Sequence, residues 1–291
     1  MHSKVACASV LMLLMSTSST LFANSTQNFN QSIAALEHQN GGRLGVAALN
    51  LEDGQRLEYR ANERFALAST FKLLLVAAVL HQVDLGKEKL DRPIQFDVKD
   101  IESYAPITSQ HVKEGQMTVA ALCKAALQYS DNTAANLLLK TIDGPAGLSR
   151  YIRTFGDHVT RLDRNEPTLN TNIANDLRDT TTPKSMLGLM QTLLVGNVLS
   201  SSSKKQLNDW LLGNTTGNAK LRAGLNPMWK VGDKTGSGAN GASNDVAIVW
   251  PKDHQPFLVA VYYTDSTIAS EQQSKVIAQV GMIVEQSFDP R

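Results

Sequence analysis

The first candidates for chemistry in this chain are Ser69 and Lys72, a serine and a lysine three positions apart in the segment ASTFK. The apolar run at residues 73–80 (LLLVAAVL) follows directly and predicts a buried helix with this pair at its start. Residues three apart share a helix face, so the Lys72 amine can reach the Ser69 hydroxyl. A lysine whose pKa is lowered by burial can take the proton of a serine and make it a nucleophile. Such a pair also arises by chance, so it predicts catalysis only with further support.

A second polar segment, Ser130-Asp131-Asn132, lies between two apolar helical patterns at residues 117–128 and 133–140. Asp131 or Asn132 would cap the second helix by accepting hydrogen bonds from its first amides. The same residues also fit a substrate site, where Ser130 relays a proton and the Asn132 amide binds a substrate amide. The segment alone leaves both interpretations open.

A third segment, Lys234-Thr235-Gly236-Ser237-Gly238, ends a predicted strand. One cation and two hydroxyls suit a carboxylate ligand, and the glycines leave room for a ligand against the strand edge. Taken alone, the segment favours a strand that simply ends in a glycine-rich turn.

Glu166 and Asn170 lie on an aperiodic stretch that ends at Asp179 and has the length of a compact Ω-loop. Arg164 and Asp179 are placed to close its base as an ion pair, and Pro167 suits a preceding cis peptide bond. On such a loop, Glu166 with Asn170 can hold and activate a water molecule. An ordinary solvated carboxylate is the alternative.

These segments must be positioned by strands near both chain ends and by helices between them. A hairpin pattern spans residues 43–59, three strand patterns follow residue 229, and mostly helical patterns fill residues 69–210. Early and late strands share one antiparallel sheet only if the chain ends meet, which makes the middle helices an inserted lobe. We therefore expect an α/β (α+β) fold with a five-stranded antiparallel sheet, an inserted all-α lobe and a site in the cleft between them. The expected α/β lobe covers residues 24–66 and 213–291, and the all-α lobe covers residues 67–212.

The first 23 residues have the pattern of a secretory signal: a basic start, a short apolar run, and small residues before a cut after Ala23. The apolar run is too short to span a membrane. Cys7 would leave with the signal, and Cys123, in an apolar helical pattern, is expected to be a buried, inert thiol. The net charge of +1 provides no argument for nucleic acid or an acidic membrane surface as a partner.

Together, and in this order, Ser69–Lys72, Ser130–Asn132, Glu166–Asn170 and Lys234–Gly236 resemble the motifs of the class A serine β-lactamases and their penicillin-binding relatives. The resemblance covers essentially the whole mature chain. It implies a hydrolase that opens the lactam amide of penicillins and cephalosporins through a serine acyl-enzyme and so confers β-lactam resistance. The main alternative is a penicillin-binding DD-peptidase, which shares the three short motifs but holds its acyl-ester.

The resemblance also implies roles for individual residues. Ser69 would attack the lactam carbonyl, with the backbone N–H groups of Ser69 and Ser237 as the oxyanion hole. Ser130 would pass a proton to the leaving nitrogen, and Glu166 would activate the deacylating water. Whether Lys72 or Glu166 is the base in acylation stays open. The expected catalytic residues are Ser69, Lys72, Ser130, Glu166 and Asn170, and the expected substrate-binding residues are Tyr104, Asn132, Lys234, Thr235, Gly236 and Ser237.

Finer features resemble the cefotaximase-type, extended-spectrum branch of this family, which implies hydrolysis of oxyimino-cephalosporins. They are residues 165–171 (NEPTLNT), 214–217 (NTTG) and 234–238 (KTGSG). Carbapenem-hydrolysing relatives carry cysteines where Ala68 and Gly238 stand here, so carbapenem hydrolysis is not expected.

Many relatives also place an arginine near the Lys-Thr-Gly strand to bind the substrate carboxylate. Residues 240–245 and 271–274 contain none, and Lys220 is the candidate substitute, although a lysine cannot reproduce the fork of a guanidinium. The resemblance further implies a secreted, periplasmic monomer that acts on a small β-lactam. It implies no cofactor, metal or nucleic-acid partner, and no membrane partner after processing.

Overall fold

The computed structural model describes residues 26–288 of the 291-residue chain, and the predicted signal at residues 1–23 lies outside them. In chain order the strands are β1 (Arg43–Asn50), β2 (Arg56–Tyr59), β3 (Phe65–Ala66), β4 (Pro93–Gln95), β5 (Gln116–Thr118), β6 (Thr180–Thr181), β7 (Lys230–Ser237), β8 (Ser243–Trp250) and β9 (Phe257–Thr264). The helices are α1 (26–40), α2 (Phe71–Asp84), α3 (Val119–Gln128), α4 (Asn132–Lys140), α5 (Gly144–Arg153), α6 (Pro183–Met190), α7 (Ser201–Leu212), α8 (Leu221–Gly224) and α9 (Ser270–Phe288).

The central sheet has five strands in the order β2-β1-β9-β8-β7, and all neighbouring strands are antiparallel. β1 pairs with β9 along its whole length, from Arg43 opposite Thr264 to Asn50 opposite Phe257. The early and late parts of the chain therefore meet inside one sheet, which confirms the predicted fold class. β7, which carries the Lys234 segment, forms one edge of the sheet.

Helices cover both faces of this sheet because strand residues point alternately to opposite sides. Val46 of β1 packs in a core with Phe29 of α1 and Val280 of α9. Its neighbour Ala47 belongs to the other core, which extends through α6 into helices α2 to α5 and includes Leu74. The middle of the chain is thus a helical layer packed against one face of the sheet.

Helix α2 lies in the centre of this helical layer. All ten residues from Phe71 to Leu80 are buried, including Lys72, as the absence of a polar face predicted. Truncating a buried leucine such as Leu74 to alanine typically costs about 2–5 kcal/mol, so the packing holds this helix firmly. The first turn of α2 is therefore a rigid platform for Lys72.

One detail of the sequence prediction, at Met117, is wrong, and another, at Cys123, is confirmed. The predicted helix at residues 117–128 begins only at Val119, because Thr118 accepts a hydrogen bond from the Ala121 amide and caps it, while Met117 lies in β5. Cys123 is fully buried, as predicted, and this burial raises the pKa of its thiol. Within residues 26–288, no helix is long and apolar enough to cross a membrane.

Candidate active site

The predicted site residues converge on one cleft between the edge strand β7 and the helical layer. A cavity of about 370 Å³ lies there. Predicted residues of five separate segments meet around it, and Tyr104 among them is half exposed. The predicted residues that line the cavity are Ser69, Tyr104, Ser130, Asn132, Asn170, Thr235, Gly236 and Ser237.

Ser69 lies in a single 3₁₀ turn, Ala68–Thr70, just before α2 rather than in the first turn of the helix. Ala68 has φ of +42°, a left-handed conformation that costs an alanine about 1–2 kcal/mol. The Asn244 amide holds the turn in place by donating to the carbonyls of the two residues before it, at 2.9 and 3.2 Å. Gly236 of β7 touches the same segment, since a side chain there would lie 3.1 Å from a carbonyl oxygen. The nucleophile candidate is therefore held directly against the β7 edge.

The Lys72 ammonium lies at the centre of the site and is completely buried. Its Nζ is 3.0 Å from Ser69 Oγ, 2.7 Å from Asn132 Oδ1 and 3.0 Å from Glu166 Oε1. It also donates to the backbone carbonyl of Ser130 at 2.8 Å. Burial lowers the pKa of Lys72, and the Glu166 carboxylate opposes that shift. The contact predicted between Lys72 and Ser69 is present.

Glu166 is brought to Ser69 by the predicted Ω-loop. Ser69 Oγ donates to Glu166 Oε1 at 3.2 Å, and the Asn170 amide donates to Glu166 Oε2. Arg164 Nε is 2.6 Å from Asp179 Oδ2 at the base of the loop, and the Glu166–Pro167 peptide is cis, as the sequence indicated. Only 3% of Glu166 is exposed, so the solvated-acid alternative is excluded.

Sequence reasoning missed Asn136, which fixes the backbone of Glu166. Asn136 Oδ1 accepts from the Glu166 amide at 3.0 Å, and Asn136 Nδ2 donates to the Glu166 carbonyl at 2.9 Å. Nδ2 also donates to Glu102 Oε1 at 2.9 Å. The only available signal was that Asn136 follows Asn132 by four residues and so shares its helix face.

Ser130 connects Lys72 with a second buried ammonium, that of Lys234. Lys234 Nζ donates to Ser130 Oγ at 3.0 Å and to the Thr235 carbonyl at 2.8 Å. Burial and the neighbouring charge of Lys72 lower the pKa of Lys234 well below its usual value. The Lys234 ammonium lies behind the cavity wall, while Thr235 lines the cavity and its hydroxyl bonds that of Thr216 at 2.5 Å. Thr216 was not predicted.

Asp131 has the capping role that the sequence left open. Asp131 Oδ1 accepts from the Ala134 amide at 2.9 Å, which caps α4. Asp131 Oδ2 accepts from the amides of Ile107 and Thr108, both at 2.9 Å. The carboxylate thereby ties the loop that carries Tyr104 to the helix that carries Asn132.

Lys220 lines the cavity next to Thr235 and is almost fully buried. Its Nζ donates to the carbonyls of Gly236 and Asn244, at 3.3 and 3.1 Å. Burial lowers the pKa of Lys220, while burial raises the pKa of the nearby Asp245 well above its usual value. The Lys220 amine therefore lies at the cavity wall beside β7. The sequence predicted a cation near this strand to bind the substrate carboxylate.

Ser69 contacts a buried lysine and a buried carboxylate, and all three lie in a cleft at the edge of the sheet. This arrangement defines a serine acyl-transfer hydrolase. Within residues 26–288, no three His, Cys, Asp or Glu side chains gather as metal ligands would.

The comparisons identify the family of this hydrolase. The model of the Beta-lactamase enzyme family matches residues 28–288. The chain is 44% identical to β-lactamase Toho-1 of Escherichia coli over 283 residues, which cover 96% of this chain and 97% of that protein. It is 46% identical to β-lactamase CTX-M-25 of Escherichia coli over 281 residues, or 97% and 95% of the two chains. The solved class A β-lactamase of the last common ancestor of Gram-negative bacteria (GNCA4) is 53% identical with a TM-score of 0.88, covering 89% of this chain and 99% of that chain.

The chain therefore belongs to the β-lactamase family, in class A and of the CTX-M type. It is a serine hydrolase of β-lactams, and the resemblance predicted from the four sequence segments is confirmed.

Proposed function

We propose that this enzyme hydrolyses penicillins and cephalosporins, including oxyimino-cephalosporins, through an acyl-enzyme on Ser69. The observation that carries the proposal is the contact of Ser69 Oγ with both Lys72 Nζ, at 3.0 Å, and Glu166 Oε1, at 3.2 Å. One hydroxyl thus touches a cation and a base whose side chains are fully buried, where electrostatic interactions are strong.

In the acylation step, the Ser69 proton passes to a base and Oγ bonds to the lactam carbonyl carbon. The backbone N–H groups of Ser69 and Ser237 stabilise the oxyanion; both residues line the cavity. The lactam C–N bond then breaks as Ser130 gives its proton to the nitrogen. Ser130 regains a proton from the lysines beside it, since Lys234 Nζ lies 3.0 Å and Lys72 Nζ lies 3.5 Å from its Oγ. The proton taken from Ser69 restores the ammonium, because Lys72 Nζ lies 3.0 Å from both Ser69 Oγ and Glu166 Oε1.

In the deacylation step, Glu166 takes a proton from a water molecule that attacks the ester carbonyl. The bond from that carbon to Ser69 Oγ then breaks, and Glu166, 3.2 Å from Oγ, returns the proton to it. Asn170 supports this role, because its Nδ2 is bonded to Glu166 while its Oδ1 is buried without a partner among the described residues. A buried polar atom without a partner is costly unless it binds water or a ligand. Oδ1 is therefore suited to accept a hydrogen bond from the attacking water.

Substrate binding follows from the other groups at the cavity. Thr235 and Ser237 line the cavity, and their hydroxyls suit a carboxylate, with the Lys234 charge behind them. Asn132 lines the same cavity and suits the acylamino group of the substrate, with Tyr104 at the edge.

The proposal is tested by measuring hydrolysis of benzylpenicillin, cefotaxime and a carbapenem by the purified enzyme. We expect turnover of the first two and none of the carbapenem, because Ala68 and Gly238 stand where carbapenem-hydrolysing relatives carry cysteines. Intact mass after mixing should show the acyl adduct on Glu166→Ala, which does not deacylate, and none on Ser69→Ala. No turnover of benzylpenicillin, or an adduct on Ser69→Ala, would contradict the proposal.

Lys220 supplies the prediction that concerns the substrate carboxylate. Lys220→Ala is expected to raise KM for benzylpenicillin about tenfold with a smaller change in kcat. A hydrogen bond to a charged group contributes about 1.5–3 kcal/mol, and a tenfold change corresponds to the lower end of that range. The control is Lys252→Ala, which removes a lysine from the exposed loop after β8. An unchanged KM in Lys220→Ala would exclude Lys220 from the carboxylate site.

Residues 1–23 are proposed to direct export to the periplasm, where the enzyme acts as a monomer. The support is the signal pattern in the sequence, with its basic start, apolar run and small residues before Ala23.

A further inference from the structure

Asp245 of β8 is a buried carboxyl group that has no part in acylation or deacylation. Its side chain is fully buried, on the same face of the sheet as Thr235, the residue opposite it in β7. Oδ2 accepts a hydrogen bond from the Leu221 amide at 3.1 Å, while Oδ1 is buried without a hydrogen-bond partner among residues 26–288. Burying a carboxyl group with one unpaired oxygen costs free energy, so this residue calls for an explanation.

The contact between Asp245 and Leu221 holds the start of α8. This helix is a single turn (Leu221–Gly224), and Lys220, which occupies its N-cap position, provides no side-chain cap. The first amides of a helix have no acceptor within the helix and need one from elsewhere. Asp245 supplies that acceptor to the first of them from the neighbouring strand. The backbone at the start of α8 is therefore fixed to β8.

Lys220 directly precedes Leu221, and its ammonium is bonded one residue before Asp245 on the same strand. Lys220 Nζ donates to the Asn244 carbonyl at 3.1 Å and to the Gly236 carbonyl at 3.3 Å. Two successive residues of the α8 segment thus bond two successive residues of β8. A lysine side chain is long and flexible, so its ammonium stays at one point of the cavity wall only if its backbone is fixed.

The charged groups around Asp245 indicate that it acts through its hydrogen bond rather than through a negative charge. Burial, and then the charge of Asp233, raise the pKa of Asp245 well above its usual value, while Lys220 and Lys234 oppose that shift. A carboxyl group that has taken up a proton still accepts a hydrogen bond through its carbonyl oxygen. It carries no charge that would compete with a substrate carboxylate for the Lys220 ammonium.

We propose that Asp245 is a positioning residue for substrate recognition: it fixes the Leu221 backbone and so places the Lys220 ammonium where the cavity takes the substrate carboxylate. The inference rests on the proposed function, in which that carboxylate lies at Thr235 and Ser237. Lys220 lines the same cavity. Without the contact to Asp245, the ammonium is no longer held at the wall, and substrate binding weakens while the chemistry at Ser69 keeps its rate.

The test compares Asp245→Leu with Asp245→Asn. Leucine has nearly the shape of aspartic acid but cannot accept the hydrogen bond of the Leu221 amide, whereas asparagine keeps an acceptor oxygen. Glu285→Leu is the matched control, because the Glu285 carboxylate accepts from the Asn226 amide at 2.8 Å, just beyond the other end of α8. The substrates are benzylpenicillin and its methyl ester, which has the same ring system and side chain but lacks the negative charge.

We expect Asp245→Leu to raise KM for benzylpenicillin about tenfold, and to change kcat and the KM of the methyl ester by about twofold or less. Asp245→Asn and Glu285→Leu should keep both KM values within about twofold of the parent. In the Lys220→Ala background, Asp245→Leu should raise KM no further, because both changes remove one interaction. A general loosening of the fold would instead lower kcat and would affect the two substrates alike.

Equal changes in KM for the acid and the ester in Asp245→Leu, an unchanged KM for both, or additive effects of Asp245→Leu and Lys220→Ala would overturn the inference. If Asp245→Leu does not fold, Asp245→Asn decides the question through hydrogen exchange of the Leu221 amide. This exchange rate and KM for benzylpenicillin must change together or stay at the parent values together, and a change in only one of them overturns the inference. Failure of the proposed function looks different, because the parent enzyme would then hydrolyse neither benzylpenicillin nor its ester.

Discussion

Replacing Glu166 with alanine is expected to leave an enzyme that acylates with benzylpenicillin and then stops. Glu166 is the buried carboxylate that Asn170 and Asn136 hold beside Ser69. Without it, no Ω-loop carboxylate contacts Ser69 to take the proton of the attacking water. Loss of a general base typically costs about 10²–10⁴-fold, and we expect the deacylation rate to fall by about 10³-fold or more. Intact mass should show one stoichiometric acyl adduct that persists for minutes or longer.

Two controls separate this effect from a change in fold. Glu114→Ala removes an exposed glutamate of the same layer and should turn over penicillin at the parent rate. Glu102→Gln keeps an oxygen that accepts from Asn136, so it should retain most of the activity. Turnover by Glu166→Ala at the parent rate would rule out the deacylation role.

The sequence predicted those parts of the site that depend on local chemistry. The spacing of Ser69 and Lys72 placed both at the start of a helix, and the apolar run behind them showed that this helix is buried on all sides. Arg164 and Asp179 flank an aperiodic stretch, so their ion pair was foreseeable from opposite charges at the two ends of a loop. Strand patterns at both chain ends were sufficient to infer one shared sheet.

The parts that the sequence did not predict depend on contacts between distant segments. Asn136 and Thr216 are neutral polar residues, and nothing in their neighbourhood distinguishes them from surface residues. Their partners, Glu166 and Thr235, are 30 and 19 residues away. Asn172 and Asn240 are a similar case, because each side chain donates to the backbone of the other's segment only after the Ω-loop has closed on the sheet edge. Short strands such as β5 were missed because three residues carry too little pattern to override a neighbouring helix signal.

Lys72→Met is expected to acylate at least about 10³-fold more slowly than the parent enzyme. Methionine keeps the length and apolar stem of the side chain, so the fully buried site remains filled. The lost ammonium contacts Ser69, Asn132 and Glu166, at 3.0, 2.7 and 3.0 Å. Its removal leaves the Glu166 carboxylate buried without a cation, a defect that typically costs about 3–5 kcal/mol. Stopped-flow mixing with benzylpenicillin measures the acylation rate, and Lys140→Met, at an exposed lysine, is the control.

The charge-conserving variant Lys72→Arg then distinguishes between the two candidate bases. A guanidinium keeps the positive charge near Glu166 but cannot give up its proton at any pH the enzyme tolerates. The structure favours Glu166 as the base, because Ser69 Oγ donates to Glu166 Oε1 while it accepts from Lys72 Nζ. Four oxygen atoms lie within 3.0 Å of that Nζ, an arrangement that favours an ammonium over a free amine even though burial lowers the pKa of Lys72. We therefore expect Lys72→Arg to acylate about tenfold or more faster than Lys72→Met. Equal acylation rates in the two variants would contradict Glu166 as the acylation base, because the positive charge at position 72 would then contribute nothing to acylation.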